Sequence, residues 1–192
     1  MATFTIFGTG NMANAIAGVL TKGGAQVDHI AHEQGAGGTV TGDVVILAVP
    51  YPAVAEIVGA YAEQLAGKTI VDITNPLNFE TFDSLTVPVG SSAAAEIQAK
   101  VPSACVLKAF NTNFAATLAS GKVGESTTTV LIAGDDAEAK TVLADAVKAG
   151  GLGAIDAGSL KRAHELEAIG FLQLTLAAGE KITWAGGFAV NN

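Results

Sequence analysis

Apolar residues along this chain switch repeatedly between a strand-like and a helix-like period. Thr3–Phe7 is a short β-rich run that ends at Gly8. Ala13, Ile16, Ala17 and Leu20 then fall at i, i+3, i+4 and i+7, which predicts a helix over residues 11–20. Residues 26–31 read as a second strand. Residues 34–42 hold four glycines and no apolar stripe, so the helix expected between strands two and three is absent or reduced to a loop. A third strand follows at 44–48. A helix over 52–65 carries Val54, Ile57, Val58, Tyr61 and Leu65 on one face. A fourth strand, 69–73, is stopped by Thr74-Asn75-Pro76.

The second half is less regular. Residues 79–90 read as a loop, 92–100 as a short helix and 104–109 as strand five. Residues 113–119 suggest a helical turn, and 127–133 a sixth strand. A helix over 135–149 has Ala139, Leu143, Ala146 and Val147 on one side. A short strand at 153–157 precedes a long helix to about residue 178, with Ser159 as its expected cap. Alternating strands and helices of this kind predict an α/β fold in a single domain. Its expected form is a Rossmann-type, doubly wound, mainly parallel sheet with a C-terminal helix.

Composition fits that picture. Hydrophobic residues make up 49% of the 192, as strands buried on both faces require. The net charge of −8 disfavours nucleic acid and anionic membranes as partners. The longest apolar runs, such as 44–49, are strand-length and too short to span a bilayer. Cys105 is the one cysteine, so no intrachain disulfide or cysteine-based metal site is possible. With no signal-peptide pattern at the start, a cytoplasmic location is expected.

The strongest chemical signal is Gly8-Thr9-Gly10-Asn11-Met12-Ala13, between the first strand and the first helix. Gly8 permits a sharp turn, and Gly10 lets a pyrophosphate approach the backbone. Ala13 still allows close helix–strand packing. N–H groups at the helix start would face the phosphate. At the end of strand two stands Ala31-His32-Glu33. Ala31 fits NADP, whereas Glu33 opposes a 2′-phosphate; His32 is either a phosphate donor or a surface side chain.

Three further segments fall at strand ends. Ala48-Val49-Pro50 closes strand three, and Asn75-Pro76 closes strand four. Asn75 reads either as a hydrogen-bonding group or as a turn residue. Lys108-Ala109-Phe110-Asn111-Thr112-Asn113 follows strand five. There Lys108 reads as a base or a solvating charge, and Phe110 as a stacking platform or as core. Lys161, Arg162, Glu165 and Glu167 read as solvated pairs on the last helix. Tyr51 and Tyr61 are the two tyrosines, and neither is followed by a lysine four residues on. His29, His32 and His164 form no metal spacing. A site poor in acids and bases points to hydride transfer onto a flavin-like ring, which delocalises charge, more than to carbonyl reduction.

The segments Ile6-Phe7-Gly8-Thr9-Gly10-Asn11-Met12, Ala48-Val49-Pro50, Asp72-Ile73-Thr74-Asn75-Pro76, Lys108-Ala109-Phe110-Asn111-Thr112 and Asp156-Ala157-Gly158 occur in one order. Together they resemble the NADP oxidoreductases that depend on the deazaflavin coenzyme F420, and the cytosolic domain of membrane ferric reductases. The resemblance implies hydride transfer between NADP(H), or NAD(H) as the alternative, and a small-molecule flavin or deazaflavin acceptor. It places pyrophosphate at Gly8, Thr9, Gly10, Asn11 and Met12, and the nucleotide along Ala48, Val49, Pro50 and Tyr51. It places the nicotinamide at Asn75, Ala109 and Phe110. On this reading Ala31 and His32 meet the ribose end, and Pro76, Asn111 and Thr112 join Asn75 on the acceptor side. The competing readings are an imine or keto reductase and a non-enzymatic dinucleotide sensor. Leu166, Ile169, Phe171, Leu172, Leu174 and Leu176 put apolar groups on more than one face of the last helix, so a homodimer is expected. Trp184, Gly186, Gly187 and Phe188 are expected to complete a pocket near the tail.

Overall fold

The computed structural model describes residues 2–31 and 37–191. His32 and Glu33 lie outside the described residues.

The chain opens with β1 (Thr3–Phe7), α1 (Asn11–Lys22), β2 (Gln26–Ile30) and β3 (Val44–Leu47). It continues with α2 (Tyr51–Ala60), α3 (Ala62–Leu65), β4 (Thr69–Asp72), α4 (Ala93–Lys100) and β5 (Cys105–Lys108). Then come α5 (Ala115–Ser120), a hairpin of β6 (Lys122–Val123) and β7 (Ser126–Thr127), β8 (Thr129–Gly134) and α6 (Ala137–Ala149). The last elements are β9 (Gly153–Gly158) and α7 (Ala163–Ala178).

Among the described residues, seven strands form one sheet in the order β2-β1-β3-β4-β5-β8-β9. The first five are parallel, β8 runs antiparallel to β5, and β9 pairs parallel with β8. The chain winds outward in one direction from β1 to β2 and in the other from β3 onward. The crevice beyond the C-terminal ends of β1 and β3 is therefore the switch point at which such sheets bind ligands.

Alternation along the strands builds a core on each face. Phe4, Ile6, Val44, Ile46, Val71 and Leu107 pack on the side of α1 and α6. Phe7, Val45, Leu47, Ile70 and Val106 pack on the side of α2 and α4. Burial on both faces is why these strands read as continuous apolar runs.

The pattern-based reading holds for most elements, with three differences. The helix expected over 52–65 breaks at Tyr61 (φ −109°, ψ 12°). Tyr61 is held there by an edge-on contact with Phe7, at 4.8 Å between centroids, and its hydroxyl accepts from the Gly38 N–H. Ser159 does not cap the last helix by its side chain: a 3-10 turn over Leu160–Arg162 comes first. The Leu160 N–H goes instead to Asp135 Oδ1, 3.0 Å away. The β6–β7 hairpin was not expected. Among the described residues, no helix is long and apolar enough to cross a membrane. None of them forms a cluster of metal-ligating side chains.

Candidate functional site

The glycine turn joins β1 to α1 at the switch point. Gly8 has φ +112°, and a Cβ there would overlap the Ala48 carbonyl at the end of β3, so no other residue fits without shifting β1 from β3. Its carbonyl is held by His29 Nδ1 at 2.8 Å, and Asn14 Nδ2 donates to the Thr9 carbonyl at 2.9 Å. Sequence reasoning gave neither side chain a role. Gly10 is the N-cap of α1, and no side chain caps it. A Cβ on Gly10 would meet no protein atom within 4 Å. The fold does not need glycine at this position, but a ligand lying against the helix start would.

Two hollows flank this turn. A cleft of about 490 Å³ is lined by Phe7, Gly8, Thr9, Gly10, Ile30, Ala31, Ala48, Val49, Pro50 and part of α2, including Glu56 and Tyr61. A cavity of about 400 Å³ begins at the next two residues, Asn11 and Met12. It continues over Ile73, Asn75, Phe110, Asn111, Asn113, Phe114, Leu174 and Trp184. Among the described residues, no Asp, Glu, Lys, Arg or His side chain lines it. A larger hollow, about 700 Å³, lies at the opposite ends of the strands beside Phe4, Val44, Thr69 and Cys105. Burial and the neighbouring Asp136 push the Cys105 thiol up, away from the reactive thiolate.

The chain leaves β5 in an unusual conformation. Phe110 has φ +62° while fully buried, a backbone state that costs a non-glycine residue about 1–3 kcal/mol. The bend brings Asn111 against Asn75. Asn75 Nδ2 donates to the Asn111 carbonyl at 2.8 Å, and Asn111 Nδ2 donates to Asn75 Oδ1 at 2.9 Å. Asn111 Nδ2 also reaches the Leu166 carbonyl of α7 at 2.8 Å. Gly170 lets α7 close on this pair, since a Cβ there would overlap Asn75 Oδ1. Further along α7, Gln173 Nε2 donates to the Thr112 carbonyl, and Gln173 Oε1 accepts from the Phe188 N–H. The tail is thus tied down, and Trp184 packs on Phe114 with ring centroids 5.1 Å apart.

Behind the cavity lies a buried ionic cluster. Register pairs Asp72 with Lys108 across β4 and β5. Lys108 Nζ lies 2.7 Å from Asp72 Oδ2, 2.8 Å from Glu167 Oε1 and 2.5 Å from the Thr74 carbonyl. Glu167 also accepts from the Ala93 and Ala94 N–H groups at the start of α4. Burial pushes the Glu167 carboxyl above its usual range, and the Lys108 ammonium opposes the shift. The sequence reading is corrected at both residues. Lys108 does not solvate the sheet edge, and Glu167 is not a solvated helix charge: both are buried. Arg162 and Glu165 do form an exposed pair at 2.9 Å.

The expected site residues separate into groups. Gly8, Thr9, Gly10, Ala31, Ala48, Val49 and Pro50 line the cleft, and Asn11, Met12, Asn75, Phe110 and Asn111 line the cavity. Tyr51 lines neither hollow. Its hydroxyl donates to Glu96 of α4, and burial beside that carboxylate pushes the phenol up, so it is no acid at neutral pH. Ala109 and Thr112 are buried behind the cavity wall, and the Pro76 carbonyl is taken up by Thr86. Glu56, Asn113, Phe114 and Leu174 line the hollows without having been singled out as ligand contacts.

Fold and site together define a class: a Rossmann-type protein whose glycine turn opens on one side to a nucleotide-sized cleft and on the other to an uncharged cavity. A family model described as NADP oxidoreductase, coenzyme F420-dependent, matches residues 31–76. The F420-dependent NADP reductase of Methanocaldococcus jannaschii is 33% identical over 132 residues, covering 67% of this chain and 59% of that protein. The metalloreductase STEAP3 of Rattus norvegicus is 38% identical over 108 residues, which is 56% of this chain and 21% of that protein. A crystal structure from Arthrobacter sp. FB24, described as a candidate F420-dependent NADP reductase, superposes with a TM-score of 0.83 at 25% identity. Both chains are covered in full. The chain is therefore similar to the coenzyme F420-dependent NADP oxidoreductases over these spans, as its motifs suggested. It spans about three fifths of the archaeal protein and about one fifth of the rat protein.

Proposed function

We propose that this chain transfers hydride between NADP(H) and a flavin or deazaflavin-like acceptor, a small molecule. One observation carries the reading: Gly10 lines the cleft, Asn11 beside it lines the cavity, and Gly10 leaves the backbone open at the start of α1 between them. A dinucleotide laid over Gly8–Met12 would put its adenosine in the cleft and its nicotinamide at the cavity mouth, near Asn75 and Phe110. The protein's part would be positioning and exclusion of water, because the rings carry the redox chemistry. A cavity without acids or bases suits an acceptor ring that delocalises the charge it receives. It suits a carbonyl or imine substrate poorly, since a developing alkoxide or amide anion needs a proton donor. The name of the matched family and the archaeal relative support NADP and a deazaflavin acceptor. The test is NADPH oxidation with FMN, FAD and a deazaflavin as acceptors.

A non-enzymatic dinucleotide sensor is the second reading, favoured by the same lack of titratable groups. It predicts nucleotide binding with no turnover. A cytoplasmic homodimer completes the proposal. Ile169 and Leu172 stay 36% and 52% exposed on α7, which suits burial against a second copy. Light scattering that finds a monomer at micromolar concentration would refute the dimer.

A further inference from the structure

Three consecutive carbonyls of the glycine turn are taken up inside the protein. His29 Nδ1 holds the Gly8 oxygen at 2.8 Å, and Asn14 Nδ2 holds the Thr9 oxygen at 2.9 Å. The Asn14 N–H donates to the Gly10 oxygen at 3.0 Å. A carbonyl only accepts, so His29 carries a proton on Nδ1 in this contact. The peptide bonds are trans, and in a trans peptide the N–H points opposite to the carbonyl it is joined to. The N–H groups of Thr9, Gly10 and Asn11 therefore point away from the groups that hold those carbonyls. None of the three donates to an acceptor among the described residues. Gly8, Thr9 and Gly10 line the cleft and Asn11 the cavity, whereas His29 and Asn14 line neither. A row of unpaired N–H groups is thus turned to the ligand side of the helix start, where phosphate oxygens bind.

The main chain secures only part of this row. The Gly10 carbonyl is fixed by the helix itself, through the Asn14 N–H. The Gly8 and Thr9 carbonyls precede α1 and depend on side chains. Glycine on both sides of Thr9 leaves those two peptides free to rotate otherwise. A rotated peptide would present an oxygen where a phosphate must approach. His29 reaches the turn from β2, where it lies in register with Ile6, and Asn14 reaches back from α1.

We infer that His29 and Asn14 are positioning residues of the dinucleotide site, holding the Gly8 and Thr9 peptides so that the Thr9 and Gly10 N–H groups face the diphosphate. The inference rests on the dinucleotide part of the proposed function and not on hydride transfer. NADPH that binds without being oxidised leaves it standing.

The test separates the diphosphate from the rest of the nucleotide. NADPH is titrated by fluorescence, and ADP and adenosine are measured as competitors, on the parent, His29→Leu, His29→Gln and Asn14→Ala. In His29→Leu and in Asn14→Ala, affinity for NADPH and ADP should fall about tenfold or more, while that for adenosine stays unchanged. His29→Gln keeps a side-chain N–H donor and should recover most of the loss. Melting curves verify that each variant is folded; Asn14 is exposed, so its variant keeps the test open if β2 does not tolerate leucine. Undiminished ADP affinity in both folded variants overturns the inference. So does an equal loss for ADP and adenosine, which would mean that the side chains only shape the cleft. A parent protein that binds neither NADPH nor ADP overturns the dinucleotide reading as well.

Discussion

Lys108 Nζ lies 2.8 Å from Glu167 Oε1, with no more than 1% of either side chain exposed. The contact joins the C-terminal end of β5 to α7. Through Asp72 and the Thr74 carbonyl the same ammonium also holds the end of β4, directly before Asn75. The polar wall of the cavity therefore rests on one buried charge cluster.

Lys108→Met should destabilise the protein by about 3–5 kcal/mol at pH 7, because two buried carboxyls lose their shared cation. Glu167 already sits above its usual range through burial, and removing the ammonium removes the effect that opposes this. A carboxyl raised in the folded state contributes stability that is complete below its unfolded pKa of about 4.3 and is lost as pH rises through the folded value. The gap between variant and parent should therefore narrow toward pH 4 and widen toward pH 7. Urea unfolding at several pH values measures it; a gap independent of pH would mean that Glu167 does not titrate differently in the variant.

Gly8 and Gly10 should separate folding from binding. Gly8→Ala places a methyl on the Ala48 carbonyl at φ +112° and should lower the melting temperature. Gly10→Val adds bulk where no protein atom lies within 4 Å, so the fold should persist while nucleotide binding is lost. Melting curves and NADPH fluorescence titrations on both variants decide. Undiminished NADPH affinity in folded Gly10→Val would remove the pyrophosphate from this turn.

Gly170→Ala forces a methyl against Asn75 Oδ1 and the Asn111 carbonyl. Overpacking of this kind costs about 1–3 kcal/mol. Because the strain falls on the cavity wall, turnover with a ring acceptor should drop at least tenfold while NADPH affinity changes little. Kinetics and nucleotide titration side by side test this; a parallel loss of both would mean that α7 also supports the cleft.

Nucleotide choice turns on the end of β2. Ala31 brings no carboxylate to the cleft, and Glu56 of α2 stands at its edge. His32, with an ordinary pKa of about 6.5, would favour a 2′-phosphate when protonated. A modest NADPH preference that fades from pH 6 to pH 8 is expected in dissociation constants for NADPH and NADH. Tighter NADH binding throughout would instead make Glu33 a ribose ligand. Glu33→Arg should strengthen NADPH binding if that side chain meets the phosphate.

Strand periodicity and the glycine turn made the sheet and the cleft legible, because both are local: they depend on neighbours in sequence. The cavity was only half legible. Asn75 and Asn111 stood out as polar groups at strand ends, but their mutual hydrogen bonds depend on the left-handed Phe110 and on Gly170, far along the chain on α7. Glu167 was misread for the same reason. On α7 it looked like part of a charged helix start, and nothing in its own segment showed that Lys108 would lie opposite.

The proposed hydride transfer is tested most directly by following NADPH absorbance under anaerobic conditions as a ring acceptor is added to the protein. The account predicts that NADPH is consumed in equal amount to the flavin or deazaflavin reduced, and that Gly10→Val abolishes the reaction. Tight NADPH binding with no oxidation by FMN, FAD or a deazaflavin would contradict it and leave the chain a nucleotide sensor.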